Sequence, residues 1–149
     1  MRDRGGFGLV ELAVAVAIVG ITTAMAVAGT ASLVNWYRLN GAAAIIRTDL
    51  QAARMAAIKT NQSVTVNVNT TTQYSYSYVD SNGHTHSFSR NLSSDSPGVT
   101  ITMTASSVTF TSQGLAGNPG DADKAVTAQG VARSRVFSIR WTGEMSSVS

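Results

Sequence analysis

The sequence predicts an α+β protein: one long N-terminal helix, apolar in its first half and amphipathic in its second, packed on an antiparallel β-sheet. Three observations carry this reading. From Gly5 to Val34 the sole ionisable residue is Glu11. From Ala42 to Ile58 apolar residues recur at helical spacing. From Ser63 onward the hydrophobic period changes to two, the signature of half-buried strands.

The run Leu12–Val34 is nearly all apolar or small, and it exceeds the ~20 residues a helix needs to cross a bilayer. It ends at Asn35-Trp36-Tyr37-Arg38, where aromatic rings followed by a cation suit the membrane–water boundary. Arg2 and Arg4 precede the run, so the excess of positive charge places the N-terminus in the cytoplasm and the folded part beyond the membrane. Helical spacing then continues. Ala42, Ile45, Ile46, Leu50, Ala53, Met55, Ala57 and Ile58 form a broad apolar stripe, with Arg47, Asp49, Arg54 and Lys59 mostly off it. No proline occurs before Pro97, so one helix from about Phe7 to Thr60 would measure roughly 80 Å at 1.5 Å per residue.

The strands follow. Val64, Val66 and Val68 alternate with polar residues, as do Tyr74, Tyr76 and Tyr78. Asp80-Ser81-Asn82-Gly83 is a hairpin signal, and Thr85–Arg90 returns from it. Further strands are expected at Val99–Met103, Val108–Thr111 and Arg133–Trp141, the last with Phe137, Ile139 and Trp141 on one face. The segment Ser112–Gly130, rich in Gly, Asn and Asp, reads as a long mobile loop. The expected sheet has about five or six strands.

Composition excludes several functions. The chain of 149 residues contains no cysteine, which rules out a disulfide framework, a thiolate metal site and a cysteine nucleophile. The net charge is only +3, a weak attraction for nucleic acid. No nucleophile elbow, Walker sequence or dinucleotide-binding glycine pattern occurs. The chain therefore reads as no enzyme, with no cofactor and no metal.

Glu11 is the informative residue. A carboxylate inside a spanning helix costs about 2.5–3.5 kcal/mol at the centre of the bilayer, so it needs a partner or a proton. Cleavage between Gly6 and Phe7 would place a new amino group four residues before Glu11, on the same helix face and at the same membrane depth. Glu11 could then pair with its own Phe7 amine or with that of a neighbouring subunit, and the second pairing would set axial register. An alternative is a conventional secretory signal, with Ala26-Val27-Ala28 as the cleavage site and a mature start at Gly29. The chain would then be a secreted soluble β protein.

The segment Arg4-Gly5-Gly6-Phe7-Gly8-Leu9-Val10-Glu11-Leu12 resembles the class III signal of type IV pilins. The resemblance implies cleavage after Gly6 and N-methylation of Phe7 by a prepilin peptidase, with Glu11 recruiting the subunit into a filament. Gly8 stands where Thr or Ser is common, and Ala28 where many major pilins carry a proline. The rest of the chain resembles the GspH/FimT family of minor pilins and type II secretion pseudopilins. Asp49-Leu50-Gln51-Ala52-Ala53-Arg54-Met55-Ala56-Ala57-Ile58-Lys59 is similar to that family's helix end, and Val64-Thr65-Val66 to its first strand. Val108–Gly114 is similar to a later strand and turn, and Phe137–Gly143 to the final strand.

The implied fold is type IV pilin-like. Residues 1–6 would be the cleaved leader, 7–36 the transmembrane half of the helix, and 37–149 the periplasmic or extracellular domain. The implied location is the bacterial inner membrane, crossed once with the C-terminal domain in the periplasm, and then the pilus or pseudopilus. The implied partners are other pilin or pseudopilin subunits, the peptidase, inner-membrane lipid and the assembly platform. The subunit would initiate or tip a type IV pilus or a type II secretion pseudopilus, driven by a separate ATPase.

Other residue types could carry chemistry. Arg133, Arg135 and Arg140 could form a basic edge for DNA, and the alternative function is then a DNA-binding minor pilin for DNA uptake. Some FimT-type members bind DNA through Gly-Arg-x-Arg at the terminal turn. This chain has Gly143-Glu144-Met145-Ser146 there, which weakens phosphate binding. His84 and His86 alternate onto one strand face but lack an evident third metal ligand. Asp121 and Asp123 lack the ordered oxygen series of a Ca²⁺ loop. Tyr74, Tyr76 and Tyr78 read as a packed strand face rather than a stacking platform.

Overall fold

The computed structural model describes residues 8–148, and of these the side chains at 26–29 and 148 are left aside. Two compact units divide the chain between Val34 and Asn35. Helix α1, Leu9–Thr60, contributes to both.

The Asn35–Ser149 unit is built on the second half of α1. The helix stops at Asn61, whose φ of 53° is the left-handed conformation that asparagine tolerates better than most residues. The amide of Gln62 donates to the carbonyl of Ala57 at 3.2 Å and closes the last turn. Strands β1 (Val64–Thr70), β2 (Gln73–Val79) and β3 (Thr85–Asn91) follow as a meander, then the short helix α2 (Leu92–Asp95). Strands β4 (Thr100–Met103), β5 (Ser107–Phe110), β6 (Lys124–Gln129), β7 (Ser134–Ile139) and β8 (Met145–Val148) complete the chain.

The strands form two four-stranded antiparallel sheets, in the orders β3-β2-β1-β5 and β4-β6-β7-β8. This corrects the expected single sheet of about five or six strands. The segment Ser112–Gly130 is not all loop, because β6 lies within it at the centre of the second sheet. Its signal, Ala125-Val126-Thr127-Ala128, is weak in β propensity, and burial of Val126 and Ala128 between β4 and β7 supplies what propensity does not. Strand β8 adds a strand beyond those the sequence predicts. It starts at Met145, buried in the core, and continues with Ser146 and Ser147.

One hydrophobic cluster joins the helix to both sheets. Leu39, Ala42, Ile46, Leu50, Ala53 and Ala57 supply the helix face. Val64, Val66, Tyr74, Val108 and Phe110 come from the first sheet, and Ile101, Val126, Ala128, Phe137 and Ile139 from the second. Register matches the pleat: Val66 faces Tyr76 on β2 and Val108 on β5, and Val126 faces Phe137 on β7. The expected stripe was too broad. Met55 is 61% exposed and Ile58 41% exposed, because the rest of the stripe already turns a full helix face into the core.

Two glycine turns meet beside the helix. Gly114 and Gly143 both have φ near +77°. A Cβ on Gly143 would lie 2.1 Å from the carbonyl oxygen of Gly114, far inside contact distance. Gly83, at the β2–β3 hairpin, has φ +83° but open space around it. Gly143→Ala should therefore destabilise the Asn35–Ser149 unit by about 3 kcal/mol or more, and Gly83→Ala by only about 1 kcal/mol. Urea unfolding of the two variants checks this, and equal losses would show that the close approach costs nothing beyond the dihedral strain.

Candidate assembly site

Every side chain from Leu9 to Met25 is exposed, including Leu9, Val10, Leu12, Val16 and Val19. The helix is long and apolar enough to cross a membrane. Its hydroxyls are satisfied internally: Thr22 Oγ1 donates to the carbonyl of Ile18 at 2.9 Å, and Thr23 Oγ1 to that of Val19 at 2.7 Å. Such back-bonding pairs these two hydroxyls within the helix. Glu11 sits in the first turn, where its amide donates to the carbonyl of Gly8 at 3.0 Å. The positive end of the helix dipole favours a carboxylate at this position. Gly6 and Phe7 lie outside the described residues, as does the leader.

The second half of α1 is fixed by a buried charge. Asp49 is only 8% exposed. Its Oδ2 accepts from the Tyr74 hydroxyl at 2.6 Å and from Arg90 Nε at 3.0 Å, and its Oδ1 from Arg90 Nη2 at 3.3 Å. The arginine fork thus grips both carboxylate oxygens. Arg90 Nη1 reaches Asp95 at 3.2 Å, and the guanidinium lies over the Phe88 ring at 5.2 Å. The hydrogen bond to Asp49 raises the Arg90 pKa further above its ordinary value. Burial, reinforced by the bond to Asp49, raises that of Tyr74.

Sequence reasoning placed Asp49 mostly off the apolar stripe. The signal against that was present. Asp49 lies three residues after Ile46 and four before Ala53, within the buried face. It is also the only carboxylate between Glu11 and Asp80. Arg90, at the end of β3, carried no comparable cue.

Two further helix cations bind the far end of the chain. Arg54 Nε donates to the carbonyl of Gly114 at 2.8 Å, and its Nη2 to that of Thr142 at 3.3 Å. Arg47 Nη2 donates to the carbonyl of Met145 at 3.0 Å. The arginines are seven residues apart, two helical turns, and so share a face.

The residues considered for other chemistry are dispersed. Arg135 Nε donates to Asn40 Oδ1 on α1 at 3.0 Å, while Arg133 is exposed just before β7. Arg140, roughly 16 Å further along the strand direction from Arg135, lies 3.8 Å from Glu144 and 4.0 Å from Asp123. His84 and His86 both turn toward Asp80, at 3.5 and 3.1 Å. His86, and then the His84 backbone amide, hold the Asp80 carboxyl below its ordinary pKa. Among the described residues no three His, Cys, Asp or Glu side chains gather as for a metal ion. Asp121 accepts from the Asn118 amide of its own loop at 2.8 Å. Tyr74 and Tyr76 are buried, Tyr76 stacks on Phe88, and Tyr78 stacks on His86.

Comparison with known proteins adds the following. The family model for type II transport protein GspH matches residues 42–143. The prokaryotic N-terminal methylation motif matches residues 1–27. No curated protein matches the sequence. Among solved structures, the type IV minor pilin FimU of Pseudomonas aeruginosa is similar in fold, with a TM-score of 0.57 and 17% identity over 74% of this chain and 88% of that one. The minor pseudopilin EpsH of the type 2 secretion system of Vibrio cholerae is similar with a TM-score of 0.56 and 10% identity, over 75% and 97%.

The buried clamp has a pH signature. Folded Tyr74 keeps its proton above the unfolded tyrosine pKa of about 10 while the unfolded chain loses it. The contribution is whole below pH about 10 and declines above it by about 1.4 kcal/mol per pH unit. Tyr74→Phe should flatten that alkaline decline, leaving the smaller slope due to Tyr76, which burial also raises. At pH 7, Arg90→Ala should cost about 3–5 kcal/mol by leaving Asp49 with its partner gone. Arg90→Lys, which keeps the charge without the fork, should cost less. Denaturant midpoints of the Asn35–Ser149 unit across pH measure all three.

Proposed function

The chain belongs to the GspH family, and we propose that it is a minor pilin or pseudopilin that enters a type IV pilus or a type II secretion pseudopilus. The observation that carries this reading is an N-terminal methylation motif coinciding with the first stretch of α1, Leu9–Met25, whose apolar side chains are exposed and whose one acid is Glu11. A soluble protein would cover such a surface. Lipid covers it before assembly, and the equivalent helices of neighbouring subunits cover it afterwards.

The sequence of events follows from the residues. The leader 1–6 directs the chain to the inner membrane, where it crosses once with the C-terminal domain in the periplasm. A prepilin peptidase cuts between Gly6 and Phe7 and methylates the new amine. Glu11 then pairs with the Phe7 amine of a neighbouring subunit, which removes the cost of carrying an unpaired carboxylate into lipid. The pairing fixes axial register, and the assembly platform adds the subunit at or near the filament tip. The exposed helix surface supplies packing but no register of its own, because apolar contacts are non-directional.

Two measurements test this. Protein recovered from membranes in the presence of the peptidase should begin at Phe7 and carry one extra methyl group. A start at Gly29 would instead indicate a secreted β protein. Glu11→Ala should insert into the membrane at least as well as the parent chain, yet enter filaments at least roughly tenfold less, the effect of losing about 1.4 kcal/mol of pairing. Normal incorporation of that variant would remove the role given to Glu11.

A further inference from the structure

The Asn35–Ser149 unit begins at the residues that mark the membrane boundary, and one turn of its second sheet lies beside them. The amide of Gly130 donates to the carbonyl of Arg133 at 2.8 Å, which closes a tight turn with Val131 and Ala132 at its tip. This β6–β7 turn is held against α1 from two sides. A Cβ on Gly130 would stand 3.6 Å from the Leu39 side chain, and Arg135 donates to Asn40 at 3.0 Å. Leu39 is three residues beyond Trp36, about 4.5 Å along the helix axis. Val131 is 76% exposed, against 67% for Tyr37 and 38% for Trp36. It also sits beside the exposed Pro97-Gly98 turn, where a Gly98 Cβ would be 3.8 Å from its Cγ2.

Charge at this end has one sign. Arg38, Arg133 and Arg135 are exposed. No carboxylate occurs from Asn35 to Thr48 or from Gln129 to Ile139. The acid nearest the Pro97 turn in sequence, Asp95, is taken by Arg90. Exposed apolar and aromatic side chains ringed by arginines, without acids, are what an anionic lipid surface receives.

We infer that the β6–β7 turn is a lipid-docking surface: Val131 enters the headgroup layer while Arg38, Arg133 and Arg135 bind the phosphates of anionic phospholipid. The inference rests on the reading of α1 as membrane-spanning, since the span tethers this turn to the bilayer. Docking would hold the subunit against the membrane until assembly lifts it away. Arg133 and Arg135, two of the three arginines of the basic edge, thereby find a role without nucleic acid, while Arg140 pairs with Asp123 and Glu144.

The chain has no cysteine, so single cysteine substitutions carry unique spin labels on the full-length protein. Labels at Val131→Cys, Asn82→Cys and Val16→Cys would be read in nanodiscs of phosphatidylcholine alone and with phosphatidylglycerol. The readout is relative accessibility to lipid-soluble oxygen and to a water-soluble nickel chelate. The Val131 label should become oxygen-accessible in the anionic discs while the Asn82 label stays in water. Adding Arg133→Glu should reduce the docked fraction by about fivefold or more, the weight of one cation near an anionic surface. High salt should reduce it also.

A Val131 label as wet as the Asn82 label in both lipids, with Val16 buried, would overturn the docking surface and leave the span intact. A Val16 label in water would overturn both. Protection of the Val131 label by a double-stranded oligonucleotide in neutral discs, without any effect of phosphatidylglycerol, would overturn lipid in favour of nucleic acid.

Discussion

A single buried carboxylate governs how this molecule is put together. Asp49 projects from α1 into the core, and the core accepts it only because Arg90 and Tyr74 arrive there from two different strands. Removing an ion pair of this kind and replacing it with apolar groups is often neutral for stability, so its worth lies in specificity. Apolar contacts alone would let the helix rotate or slide over Val64, Val66 and their neighbours at little cost. With Asp49 present, any displacement leaves a buried charge unpaired. The helix is thereby held in one rotation and one axial position on the first sheet.

The second sheet uses a different device for the same purpose. Arg54 reaches two backbone carbonyls, one in the loop after β5 and one in the turn before β8, where Gly114 and Gly143 approach each other. Such contacts read the path of the backbone rather than side-chain identity. Together the two devices fix the second half of α1, from Leu39 to Ala57, on the two sheets.

Much of this was legible in the sequence. The long N-terminal helix, its end at Thr60 and the β2–β3 hairpin at Asp80-Ser81-Asn82-Gly83 all rest on local signals, and each stands where local physics put it. The failures were non-local. Strand β6 has alanines where a strand would favour branched residues, and only its neighbours on both sides make it one. Asp49 looked like solvent-facing charge because its partner is forty-one positions away. The division into two sheets follows from pairing choices that no hydrophobic period encodes. The glycine turn at Gly143 was read as a family feature, but its reason, the carbonyl of Gly114 in the space of a Cβ, is visible only in three dimensions.

The spacing of these ties along the chain also bears on the order in which the domain acquires its structure. The bonds from Asp49 to Tyr74 and Arg90 close loops of 25 and 41 residues, whereas those from Arg54 and Arg47 close loops of 60, 88 and 98. Shorter closures lose less chain entropy and form sooner. A chain whose residues emerge in sequence order would therefore have helix, β1, β2 and β3 clamped around Asp49 before β7 and β8 emerge. The later strands then add to a template already built, and the arginine contacts to Gly114, Thr142 and Met145 close last. Until that moment the apolar face of α1 between Leu39 and Ala57 is only half covered. Exposure to proteases and to self-association is thus concentrated before the final step of folding.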